Sequence, residues 1–169
     1  MKDVYVNFGN NSSLNTLVLI DDKKVEPTKN EFGNSIYHVQ TEKESVNIKI
    51  YSYSELSSKL WYLMNILFFF ISVFGIFDSR PNKSGLSLKA EYNVKLKESN
   101  NNISLKYNFP LQAGKEAISF KEDLEAEKIE NTYYIDEVEV KRFKRTKTIR
   151  WLTFLGVIVL AIGIVILIV

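Results

Sequence analysis

In this chain of 169 residues, few side chains have the types and spacing to do chemistry. They are a single histidine, His38, the adjacent pair Asp21-Asp22, five acids at Glu122, Asp123, Glu125, Glu127 and Glu130, and six cations at Lys141, Arg142, Lys144, Arg145, Lys147 and Arg150. His38 could shuttle a proton or ligate a metal, but no cysteine or second histidine exists to complete either arrangement. It reads as a structural histidine on a strand. The five acids could attract a hard cation, yet they lack the Asp-x-Asp-x-Asn-Gly spacing that wraps a loop around calcium, and they read as a solvated face. Asp21 and Asp22 could be proposed as paired carboxylates, but neighbours in a turn point apart, so a turn is the reading. No serine stands in a Gly-x-Ser-x-Gly elbow, and the seven glycines form no phosphate-binding loop. The expectation is therefore no catalytic residue, no metal site, no cofactor and no enzyme.

The six cations have a different reading because of the apolar run directly after them. Residues 151–169 carry no charge, and fourteen of them are Leu, Ile, Val or Phe. As a helix rising about 1.5 Å per residue this run covers roughly 28 Å, the hydrocarbon thickness of a bilayer. Its apolar side chains favour insertion by roughly 6 kcal/mol in sum. Cations directly before such a run stay on the cytoplasmic side and orient it, which accounts for them without nucleic acid. Residues 1–60 hold seven Lys or Arg against eight acids, and 78–150 hold fifteen against twelve, so the surplus is this cluster. Trp61 and Trp151 each begin an apolar run and read, with the six cations, as membrane-anchoring residues. The first residues are polar and alternating, so no cleaved signal peptide is expected. Eighteen Lys to four Arg suggests an AT-rich, bacterial coding sequence.

The rest of the chain must position these features, and its grammar is that of β-strands. Val4, Val6 and Phe8 alternate with polar residues, as do Val46, Ile48 and Ile50. Leu86, Leu88, Ala90, Tyr92, Val94 and Leu96 point one way and Ser87, Lys89, Glu91, Asn93 and Lys95 the other. Glu98 to Asn102 reads as a turn that returns Ile103, Leu105, Tyr107 and Phe109 as the second arm of a hairpin. A short strand comes next at Ile118 and Phe120, and a last one runs from Tyr133 to Val140 with a bulge at Asp136-Glu137. Ser119 to Glu130 reads as a helical turn or loop. Seven to nine short strands predict an all-β, antiparallel sandwich. Its organisation reads as 1–56 and 81–140 for two halves of the sandwich, 57–80 for an inserted apolar helical segment, 141–150 for a basic linker and 151–169 for a transmembrane helix. The absence of cysteine leaves it without disulfides.

Residues 60–77 form a second uncharged run, eighteen residues long, ended by Asp78-Ser79-Arg80-Pro81. Asn65 and Ser72 fall on one line of its helical wheel, and Thr153, Gly156 and Gly163 make a comparable line of small residues in the C-terminal run. Two topologies compete. If both runs span, 78–150 lie inside and 1–59 outside, and antiparallel pairing sets Asn65 near Gly163 and Ser72 near Gly156. If only the C-terminal run spans, a single sandwich lies in the cytoplasm and 60–77 dips into the near leaflet or forms a helical hairpin. Domain size favours the second, because each half alone is short of core. The functional expectation is a membrane-anchored interaction module, an accessory or scaffold subunit that meets the lipid bilayer and another membrane protein or itself. The alternative is a membrane-state or small-molecule sensor that uses the inserted segment.

Overall fold

A computed structural model of the chain describes residues 1–9, 15–31, 33–53, 59–73, 85–121 and 124–168. The chain divides into two units, Met1–Tyr53 with Leu86–Ile135, and Ser54–Gly85 with Asp136–Val169.

The first unit is mostly β and sandwich-like. One sheet holds β4 (Thr28–Lys29), β5 (Ser35–Thr41), β1 (Lys2–Phe8), β8 (Asn101–Tyr107) and β9 (Ile118–Lys121), in that order. The other holds β10 (Ala126–Ile135), β7 (Leu86–Lys95), β6 (Ser45–Tyr53), β2 (Asn15–Ile20) and β3 (Lys23–Lys24). Among the described residues ten strands form instead of seven to nine, because β3 and β4 are two-residue strands too short to show alternation. Among the described residues every pairing is antiparallel except β1 with β8, which is parallel with Val6 opposite Ile103. Each sheet draws strands from both sides of residues 54–85: β1 joins β8, and β6 joins β7.

The alternating apolar residues are the core. Val4, Val6, Ile48, Ile50, Leu88, Ala90, Val94 and Ile103 are fully enclosed. The hairpin expected between β7 and β8 does not form; the two strands belong to different sheets. Period-two alternation cannot tell two strands side by side in one sheet from two that each turn an apolar face to a shared core. Asn101 makes the crossing. Buried at the start of β8, it accepts the Lys97 amide at 2.7 Å and donates to the Ser99 carbonyl at 2.6 Å, so the chain is turned out of one sheet and into the other. Asp21 and Asp22 form the β2–β3 hairpin turn with φ of 50° and 62°, the left-handed pair that matches strand twist and that Asp tolerates.

The strand expected over Tyr133 to Val140 lies further upstream. β10 begins at Ala126, inside the acidic stretch read as helical turn or loop, and its register shift falls between Lys128 and Glu130, not at Asp136-Glu137. Ala126–Ile135 is strand because it pairs along β7, with Lys89 and Glu130 joined at 2.5 Å. The sandwich is tied across this side by polar side chains. The Asn131 amide oxygen accepts the Ala117 and Ile118 amides at 3.0 and 2.9 Å, and its nitrogen donates to the Ile118 carbonyl at 2.7 Å. Tyr92 and Tyr133 donate their hydroxyls to the carbonyls of Ile118 and Asn108, each at 3.1 Å.

The second unit holds α1 (Trp61–Val73) and α2 (Glu137–Ile168). Residues 137–140, expected as strand, and 141–150, expected as linker, are the first turns of one continuous helix. Asp136 is its N-cap, its carboxylate accepting the Val138 and Glu139 amides at 2.8 and 3.1 Å. A cap of this kind satisfies donors that the first helical turn leaves open, and it overrides the weak strand propensity of Val138 and Val140. Gly85, at φ 59°, packs on this turn so closely that a Cβ would lie 2.5 Å from Val140 Cγ2.

Candidate functional site

The residues singled out for chemistry are surface structure. His38 on β5 stands opposite Tyr5 and stacks on it with ring centroids 4.5 Å apart. Its Nε2 lies 2.9 Å from Asp3 Oδ1, the same oxygen to which Gln40 Nε2 donates at 2.9 Å. These hydrogen bonds, His38 first, hold the Asp3 carboxyl below its ordinary pKa. Asp21 and Asp22 are engaged separately, with Lys43 and Lys49, each at 2.6 Å. Partial burial pushes the Asp21 carboxyl up, but the Lys43 ammonium and the Asn47 amide outweigh it and the net shift is downward. Among the five acids, Glu122 and Asp123 lie outside the described residues, while Glu125 pairs with Lys95 at 3.2 Å and Glu130 with Lys89. Among the described residues no three His, Asp or Glu side chains gather as a metal site.

Of the residues expected to anchor the chain, the six cations and Trp151 lie on α2 and Trp61 lies on α1. A helix of thirty-two residues is about 48 Å long, and among the described residues it is the one helix long and apolar enough to cross a membrane. Its apolar stretch is exposed: Leu152, Val159, Leu160 and Ile166 show 63 to 71% of their surface. Its N-terminal half has two faces. Glu139 and Thr146 are buried, with Arg142, Phe143, Ile149, Arg150 and Thr153 half-buried on the same side. Lys141, Lys144, Arg145 and Thr148 are exposed on the opposite side. Lys147 is helical, and its side chain lies outside the described residues.

The helix α1 packs against α2. The Arg142 guanidinium lies over the Trp61 ring, 5.8 Å from its centroid. Asn65, 5% exposed, turns its amide back to the Trp61 carbonyl at 2.8 Å. Leu60, Tyr62, Leu63, Leu67 and Phe70 face outward. The pairing of Asn65 with Gly163 does not form. Asn65 sits one turn from Trp61, whereas Gly163 lies twenty-one residues beyond Arg142, about 31 Å along the axis. Among the described residues, nothing outside the local backbone of α2 lies within 4 Å of where a Cβ would stand on Gly156 or Gly163. Thr153 bonds its own helix, donating to the Ile149 carbonyl at 2.9 Å. Ser72 is within α1, its side chain outside the described residues.

What sequence reasoning missed here is the helix start. Asp136-Glu137-Val138-Glu139 carries an N-cap acid with a second acid three residues on, the signature of a capping box. Comparison with protein-family models, with curated proteins and with solved structures finds no match.

Proposed function

We propose that this protein is a membrane-anchored, non-enzymatic β-sandwich interaction module, an accessory or scaffold subunit of a membrane protein complex. One observation carries the reading: α2 continues from its Asp136 cap through six cations into an uncharged, exposed apolar run. Apolar surface of that extent is stable only under lipid or protein. A bilayer supplies the cover over this length, and its anionic headgroups supply partners for Lys141, Lys144 and Arg145 at about 1 kcal/mol each. The cations favour a cytoplasmic side for the soluble part. Open space around Gly156 and Gly163 leaves a face on which a second transmembrane helix, from another protein or a second copy, can approach closely.

A sensor is the second reading, favoured by the contact of Trp61 with Arg142, which couples α1 to the anchor. Purification of the full chain in mild detergent separates the two. A membrane protein co-eluting in fixed stoichiometry supports the module; a solitary chain whose conformation tracks lipid composition supports the sensor and counts against it.

A further inference from the structure

The packing of α1 on α2 fixes how deep α1 reaches once α2 crosses the bilayer, and the inference rests on that reading of α2. From the shared contact of Trp61 with Arg142, the covered side of α1 continues through Asn65 and Phe69, and that of α2 through Thr146, Ile149 and Thr153. The covered side of α2 also includes Glu139, before Arg142; we take α1 to run parallel to α2, which sets it beside residues 142–153 and accounts for the cover on Thr146, Ile149 and Thr153. Trp61 is then level with Arg142, nine residues and about 13 Å short of Trp151. Phe70, nine residues after Trp61, is level with Trp151. The α1 flank of the pair is apolar at Leu63, Leu67 and Phe70, while α2 is cationic at the same depth through Lys144 and Arg145, with no acid anywhere in 141–150.

We propose that α1 is a half-depth helix that docks its outer face on the headgroup and upper acyl region of the leaflet on the basic side and does not cross the bilayer. The ligand is a leaflet containing anionic phospholipid. Leu63 and Leu67 lie among the headgroups and glycerol region, and Phe70 reaches the first acyl carbons. Continuity with the exposed apolar run of α2 and the charge complementarity of Lys144 and Arg145 select lipid as the occupant. The two tryptophans, which begin the two apolar runs, occupy different depths, with Trp151 at the hydrocarbon boundary and Trp61 outside it.

The test uses full-length chains with one tryptophan each, Trp151→Phe and Trp61→Phe. They are reconstituted in vesicles of phosphatidylglycerol and phosphatidylcholine brominated high on the acyl chain. Trp151 loses most of its emission and Trp61 keeps most of its own. A Phe70→Cys chain carrying a fluorescent label, free of competing thiols, is quenched like Trp151. Equal quenching of both tryptophans overturns the half-depth placement and leaves the anchor standing. No quenching of either removes the anchor and the placement together. A label at position 70 that is shielded from water but unquenched by brominated lipid overturns the proposal in favour of a protein cover, such as a second copy.

Discussion

The sandwich and the helical unit use the same apolar residue types toward opposite ends. In the sandwich, Val, Ile and Leu are spaced every second residue, and Val4, Ile48, Leu88 and Ile103 expose nothing. In α2 they crowd an uncharged run interrupted only by aromatic or small residues such as Thr153, Gly156 and Gly163, and Val159, Leu160 and Ile166 expose two thirds of their surface or more. The difference teaches that spacing, more than hydrophobic content, states which solvent a segment is built for. Alternation gives one face to a protein core and one to water, whereas a continuous run gives every face to something apolar.

The comparison breaks most sharply by injuring one region and watching the other. Leu88→Ala empties a fully enclosed position and costs the sandwich about 2–5 kcal/mol. Its melting temperature falls in a thermal scan, while the chain stays in the membrane pellet. Leu160→Arg does the reverse. A cation near the middle of the run costs about 3 kcal/mol of insertion, so extraction from membranes rises while the melting of the sandwich is unchanged. If either substitution moves both readouts, the two regions are not independent.

Smaller changes sharpen the boundary. Asp136→Ala removes the cap where strand gives way to helix, at a cost of about 1 kcal/mol. Amide exchange in the first turn of α2 quickens, and exchange in β7 stays as it was. The least effect at neutral pH belongs to the tyrosines. Burial pushes the Tyr92 and Tyr133 hydroxyls up to about 12. Folding favours their neutral form, so the stability they contribute is whole below pH 10 and is lost as pH rises through 12. Alkaline absorbance titration shows a phase near pH 12 that Tyr92→Phe with Tyr133→Phe removes.

Much of this was legible in the sequence, for a physical reason. Residues 86–96 alternate over eleven positions, and a pattern that long admits one conformation. Which sheet each strand joins was not legible, because pairing is decided by distant partners: β1 lies beside β8, almost a hundred residues away, and Asn101 turns the chain between sheets through hydrogen bonds that its neighbours do not announce. β10 was hidden by its acids, which suit an edge strand wetted on most of its surface. Among the residues proposed to anchor the chain, the cations and the uncharged run were plain from composition. The contact of Trp61 with Arg142 was not, since nothing local tells an apolar helix which stretch of another it will meet.

Both flanks of residues 54–85 build one sandwich, which the proposed anchoring holds on one side of a membrane. Because β6 pairs with β7 across that insertion, the flanks cannot be parted by a bilayer. Single cysteines at Lys29 and Asn100, both exposed, report the side of each flank. In intact cells, with the protein in the membrane pellet, neither site reacts with an impermeant maleimide, and both react after permeabilisation. Labelling at Lys29 alone before permeabilisation would contradict the account, for it would put the first fifty residues across the membrane from the strands they pair with.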